Sequence, residues 1–212
     1  MMIRIERIPT GPLAVNTYCV YREGNGECVV VDPGNTARIE RFLTTNSLNV
    51  AAILLTHGHF DHILGVAKLN EIYGADIYIH KNDAQCLYDD ELNEARLAGT
   101  SVPACKADYF LEDKQHLTLA GVDFDVIATP GHTPGGVCFV IEKAKVILSG
   151  DTLFRLSVGR TDLARGSDSD LHDSIAYRLF ALQGDYAVYP GHMRETTLNF
   201  ERKHNIYMRE YD

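Results

Sequence analysis

The sequence predicts one α/β domain in which two β-sheets pack inside and helices lie outside. Strand-like runs come in two groups, over residues 14–79 and 117–189, and segments of helical period are interleaved with each group. One run, residues 50–55, is apolar throughout, as a strand buried on both faces requires. No internal repeat, low-complexity segment or linker divides the 212 residues, so a single domain over residues 1–212 is expected.

The elements follow in order. Residues 14–21 and 27–32 are rich in β-branched and aromatic side chains, and Glu23-Gly24-Asn25-Gly26 between them signals a turn, so the pair reads as a β-hairpin. Asp32-Pro33-Gly34 stops the second strand and leaves Asp32 at its tip. Residues 36–45 place Ile39, Phe42 and Leu43 on one helical face. Residues 63–73 carry apolar side chains at helical spacing, with Gly74 as the stop. Residues 75–79 make another strand. Residues 83–97 read as a charged helix and residues 99–113 as a loop at a pocket rim. Strand signals return at 117–119, 122–129, 137–142 and 145–148, with Glu142-Lys143-Ala144-Lys145 as the last hairpin turn. A long loop spans 150–167. Leu171, Ile175, Leu179 and Leu182 mark a helix face, 186–189 a final strand, and a mostly polar tail runs from Gly191.

Hydrophobic residues make up 45% and charged residues 23%, an ordinary globular composition. A formal net charge of −9 repels nucleic acid and anionic membranes alike, so neither partner is expected. No stretch approaches the length of a membrane span. The start, Met1-Met2-Ile3-Arg4-Ile5-Glu6-Arg7, places charges where a signal peptide has its apolar segment, and a cytoplasmic protein is expected. Cysteines 19, 28, 86, 105 and 138 include no Cys-x-x-Cys pair. Reduced, mostly buried thiols are expected, although Cys19 and Cys28 could face each other on paired strands.

The chemistry concentrates in Thr56-His57-Gly58-His59-Phe60-Asp61-His62, directly after the apolar run. Three histidines and an aspartate so close together would make a poor core; they make sense as one wall of a metal site where a buried strand ends. His57 and His59 are two apart, so an extended backbone points both to one side, and Asp61 follows at the same spacing. Three isolated ligand-type residues recur in similar settings: His132 in Pro130-Gly131-His132-Thr133, Asp151 in Ser149-Gly150-Asp151-Thr152, and His192 in Pro190-Gly191-His192. Each follows an apolar run and a glycine, which lets the backbone turn so that the next side chain projects from the sheet edge. His80, His116, His172 and His204 lack that setting and read as surface or capping residues. Arg155, Arg160 and Arg165, in the loop after Asp151, would welcome an anionic substrate.

In this order the motifs resemble the metallo-β-lactamase-fold hydrolases, with Asp32 matching that family's first motif, over about residues 13 to 200. The resemblance implies a four-layer αββα sandwich with a two-metal site along one edge of the sheets. Carried over by position, His57, His59 and His132 would hold one metal, Asp61, His62 and His192 the other, and Asp151 would bridge the two. Asp32 would support the ligand loop from behind. Nitrogen and oxygen ligands without cysteine suit two borderline divalent ions, zinc first, with iron or manganese as alternatives. A hydroxide held between them would be the nucleophile, with Asp61 and Asp151 as the catalytic carboxylates.

Within the family, Gly150-Asp151-Thr152-Leu153-Phe154 followed by Gly159-Arg160-Thr161-Asp162 is similar to small single-domain members of the glyoxalase II group, which hydrolyse thioesters such as S-lactoylglutathione. Arg160 falls where the larger enzymes of that group place a basic residue that meets the glutathione carboxylate. Arg155 is the second candidate for substrate binding. Those larger enzymes carry a helical C-terminal domain with further glutathione-binding residues, and the residues from 193 to 212 are expected to be too few for one, which tells against glutathione as the carrier. With the arginines of the loop after Asp151, the expected partner is a small, anionic thioester or ester. Two other readings stand beside it: a mono-iron persulfide dioxygenase of the same fold, using the residues at 57, 132 and 151, and another ester or lactone hydrolase.

Overall fold

The structure is a computed structural model that describes residues 2–209. Its first half runs β1 (Ile3–Thr10), β2 (Val15–Arg22), β3 (Glu27–Val31), α1 (Ala37–Asn46), β4 (Asn49–Leu54), α2 (Phe60–Ile63), α3 (Val66–Tyr73), β5 (Asp76–His80) and β6 (Tyr109–Leu111). These six strands form one sheet in the order β1-β2-β3-β4-β5-β6, antiparallel as far as β3 and parallel beyond it. The second half supplies β7 (His116–Leu119), β8 (Val122–Ala128), β9 (Val137–Ile141), β10 (Val146–Gly150), a small hairpin of β11 (Leu153–Phe154) and β12 (Ser157–Val158), α4 (Asp168–Asp173), β13 (Ala187–Pro190), β14 (Thr196–Thr197), α5 (Leu198–His204) and α6 (Ile206–Arg209). The second sheet has the order β14-β13-β10-β9-β8-β7, with β10 and β13 parallel.

The two-residue period of a strand sorts the core into layers. Along β3, Cys28 and Val30 pack toward α1 and α3 with Ile39, Leu43 and Leu69, whereas Val29 and Val31 meet Phe124 and Phe139 of the facing sheet. On the far side, Val140, Ile147 and Val188 pack against Leu171, Ile175 and Leu179, carried by α4 and its π-helical continuation Ser174–Leu179. The layers are therefore helix, sheet, sheet, helix, as expected. All five cysteines are free and four are buried; Cys28 pairs with Tyr21, so Cys19 sits diagonally across from it. No described helix is long and apolar enough to cross a membrane.

Several local expectations need correction. The start, to which no element was assigned, is a strand: Ile3 and Ile5 alternate with Arg4 and Glu6 along the sheet edge, and the two isoleucines pack on the inter-sheet core. The helix expected over 63–73 is two helices broken at Leu64-Gly65, where the Gly65 N–H donates to Pro33 O at 2.7 Å. The charged helix expected over 83–97 is a 3₁₀ segment, Lys81–Leu87, followed by turns. There the buried Asn93 side chain donates to Cys86 O and accepts from the Ala95 N–H, satisfying backbone groups that a helix would have used. The polar tail folds into β14, α5 and α6, with Thr197 capping α5 through the Phe200 N–H.

This topology positions a site. Because β3 and β4 are parallel, their carboxyl ends lie side by side and deliver Asp32 and Thr56 to one edge. The parallel pair β10 and β13 delivers Asp151 and His192 in the same way. Such a row of carboxyl ends is where open α/β sheets place ligands.

Candidate metal centre

Asp32 holds the ligand loop in place. It sits just past β3 with φ of +50°, a left-handed conformation that turns its side chain toward the tip of β4. Its Oδ1 accepts the Thr56 N–H at 2.8 Å, and its Oδ2 accepts the Thr56 hydroxyl at 2.6 Å and the His62 Nδ1–H at 3.0 Å. One carboxylate thus fixes both ends of the segment that carries His57, His59 and Asp61. From the other sheet, Gly150 comes so near that a Cβ there would stand 2.3 Å from Thr56 Oγ1; with φ of +48° and this approach, the position suits glycine alone.

The hydrogen bonds fix the imidazole tautomers. The Thr56 hydroxyl is committed to Asp32, so His57 Nδ1 donates to Thr56 Oγ1 at 3.0 Å. His132 Nδ1 donates to Arg160 O at 2.7 Å, and His62 Nδ1 donates to Asp32. His57 and His132 are each left with an Nε2 lone pair aimed inward, as second-partner bonds do around metal ligands, and the bond to Asp32 turns His62 Nε2 toward the same cluster. His59 Nδ1 faces His132 Nε2 at 2.9 Å. His192 Nε2 lies 3.1 Å from Asp61 Oδ2 and 3.3 Å from His62 Nε2. Asp151 spans both groups: its Oδ1 is 3.5 Å from His62 Nε2, and its Oδ2 is 3.7 Å from His132 Nε2 and 3.6 Å from His192 Nε2. The seven expected ligands are therefore brought together. Ligand atoms lie within 4.8 Å of one another in the sets His57-His59-His132 and Asp61-His62-His192, and also in Asp32-His57-His62, where Asp32 is already committed to Thr56 and His62.

These side chains fit bound cations. His57 Nε2 and Asp151 Oδ1 are buried without a hydrogen-bond partner, a cost of about 1–3 kcal/mol each unless something else satisfies them. A Cβ on Gly191 would stand 2.3 Å from Asp151 Oδ1 and 2.6 Å from His62 Cε1, so glycine keeps that space clear. Electrostatics divides the cluster. Burial and the neighbouring imidazoles hold His57 and His59 well below the usual histidine range, which leaves their lone pairs available. Burial alone would also lower His62, but the carboxylates of Asp61, Asp151 and Asp32 push it up to about 10. Burial would raise Asp61, yet His62 and His192 hold it well below the carboxylate range. A cation would take over the role that the His62 proton plays among these carboxylates.

A pocket of about 320 Å³ opens over the cluster, reaching His59, Asp61, His132, Asp151 and His192. Arg160 lines it, but its guanidinium is held by both oxygens of Asp162, at 2.7 and 2.8 Å. Arg155 is not brought to the pocket; it lies over the Phe200 ring, 4.3 Å from its centroid. Arg165 turns to Cys86 Sγ and the Asn82 carbonyl. Sequence reasoning missed Asp83. Fully buried, it accepts the Gly58 N–H at 3.1 Å and the Gly135 N–H at 2.9 Å, and so ties the loop of His57 and His59 to the loop of His132. It also missed Leu13, Glu94 and Leu97 in the pocket wall, which no periodicity marks.

Comparison with known proteins agrees with this geometry. The family model of the metallo-beta-lactamase superfamily matches residues 10–192. A probable metallo-hydrolase of Bacillus subtilis is 34% identical over 205 residues, covering 96% of each chain. A hydroxyacylglutathione hydrolase of Haemophilus influenzae is 31% identical, covering 97% of this chain and 98% of its own. Among solved structures, a B3 metallo-beta-lactamase superposes with a TM-score of 0.92 at 36% identity, covering 97% of this chain and 99% of its own. A protein solved in a di-iron-bound form superposes with a TM-score of 0.84 at 37% identity, covering 94% and 98%. The chain belongs to the metallo-β-lactamase superfamily.

Proposed function

We propose that the chain is a binuclear metal-dependent hydrolase that cleaves a small thioester of the S-lactoylglutathione type. The observation that carries this reading is the position of Asp151, whose two oxygens lie within 3.7 Å of histidines from both donor sets. A carboxylate so placed suits a bridge between two ions. The full-length likeness to the hydroxyacylglutathione hydrolase of Haemophilus influenzae supports the reaction class, and the di-iron-bound relative supports a paired centre.

When bound, divalent ions supply Lewis acidity for the scissile carbonyl and lower the pKa of a water. The chain's residues do the rest. Asp32 and Asp83 hold the ligand loops rigid, so little reorganisation accompanies the reaction. Asp61, between His62 and His192, is kept ionised, as a carboxylate that is to hold a cation must be. Phe60 and Leu163 wall the pocket beside the ligands and exclude water from the thioester.

The test is metal quantification together with a thioester panel. Two ions per chain with thioester turnover that chelation abolishes and metal restores is the expected result. A single iron with persulfide-dependent oxygen uptake would replace this reading with the dioxygenase one. Full loading with two ions and no turnover of any thioester would point to another ester or lactone.

A further inference from the structure

The pocket wall is poorly suited to a charged substrate. Away from the ligands it is made of Leu13, Phe60, Leu97, Ala98 and Leu163, with Glu94 and Arg160 as the charged side chains. Arg160 is already compensated by the bidentate grip of Asp162, and the charge of Glu94 acts on it as well. A carboxylate entering this pocket would meet an Arg160 whose Nε–Nη2 edge and charge are already answered by Asp162, and it would approach Glu94, so the added ion pair gains little at so exposed a site.

The apolar part of the wall is built rather than incidental. Leu13 is 56% exposed and Leu97 is 76% exposed, a large apolar area to leave in water. Leu97 is presented by an ordered segment. Asn93 O accepts the Phe60 N–H at 2.8 Å, the Asn93 side chain bonds Cys86 O and the Ala95 N–H, and the Thr100 N–H returns to Ala95 O at 2.9 Å. The segment that carries Leu97 is thus tied to the residue that follows His59.

We infer that the substrate group seated against Leu13, Leu97 and Leu163 is an uncharged alkyl chain. The enzyme then favours thioesters of apolar acyl groups or apolar thiols over thioesters of a charged peptide thiol. This rests on the thioester-hydrolase reading, keeps its reaction and departs from the glutathione type in the group that the pocket prefers. Burial is worth about 0.8 kcal/mol per methylene, so each added methylene raises kcat/KM roughly threefold to fourfold until the wall is covered.

Two series of thioesters test this on the metal-loaded enzyme. One lengthens the acyl chain from acetyl to octanoyl on N-acetylcysteamine; the other keeps the lactoyl group and varies the thiol among glutathione, N-acetylcysteamine and alkyl thiols. The expected result is a rising kcat/KM along one series, carried by KM, with the glutathione thioester below its neutral counterparts. The series that rises identifies which side of the thioester meets the leucines. Leu97→Asp, at an exposed position, should flatten that rise. Flat series, or a preference for the glutathione thioester, overturns this inference and leaves the hydrolase reading standing. No turnover of any thioester overturns both.

Discussion

Replacing Asp83 by asparagine should weaken metal binding from a position that touches no ligand atom. Asp83 is fully buried and accepts the Gly58 N–H at 3.1 Å through Oδ2 and the Gly135 N–H at 2.9 Å through Oδ1, with Arg165 Nη2 at 3.6 Å. Gly58 stands between His57 and His59, and Gly135 lies three positions after His132. Asparagine keeps one acceptor and puts an N–H where the second was. One charge-assisted bond is then lost and a buried backbone donor is left facing another donor. That loss amounts to about 1.5–3 kcal/mol, which in a chain of this size lowers Tm by roughly 3–12 °C. Loosening two ligand loops should cost about 10–100-fold in metal affinity, as losing groups that orient ligands does elsewhere. Thermal unfolding of the metal-free protein and competition against a chelating indicator measure the two effects separately. A lowered Tm with unchanged metal affinity would confine Asp83 to stability and refute the linkage. An unchanged Tm would show that the carboxylate does not anchor the loops at all.

Three other perturbations probe the same edge. Gly191→Ala places a Cβ in the space beside Asp151 and His62, so activity should fall by about 100-fold with the far-UV spectrum unchanged; normal metal content and rate would contradict the cradle. Asp32→Ala strands the Thr56 N–H, the Thr56 hydroxyl and His62 Nδ1–H, and should lower stability by roughly 3 kcal/mol or more, read from the urea midpoint at constant slope. The metal-free protein should be most stable near the ordinary histidine pKa, about 6.5. As pH falls below that value, the unfolded chain protonates His57 and His59 while the native state does not, so stability drops. As pH rises from there toward about 10, the unfolded chain loses the proton that native His62 keeps, so stability drops again. Denaturant titrations at pH 5, 6.5 and 8.5 check this, and a flat profile would refute it.

The layered fold was legible because its strands are either alternating or wholly apolar, and local pattern suffices for both. What escaped depended on partners far along the chain. Ile3 and Ile5 become a strand because β2 lies beside them, and their charged neighbours, which were read only as excluding a signal peptide, lie along a sheet edge. Residues 83–97 have a helix-like composition, yet Asn93 satisfies the backbone locally and bends the segment over the metal motif.

In the site, the candidate ligands were legible for the same reason that they gather. A histidine or aspartate after an apolar run and a glycine is at once an anomaly in the pattern and a side chain at a strand tip. The groups that steer them carry no such mark. Asp83 sits among other charged residues in sequence, and only the packing shows that it alone of its neighbours Asp89 and Asp90 reaches the glycines of both ligand loops. The arginines show the converse limit. Their charge was plain, but whether a charge is free depends on what faces it: Asp162 holds Arg160, and Phe200, from the tail that looked merely polar, lies beneath Arg155. Charge in a loop is therefore incomplete evidence for an anionic substrate: Asp162 takes one edge of Arg160, and the leucines beside it are the basis of the alkyl group inferred above.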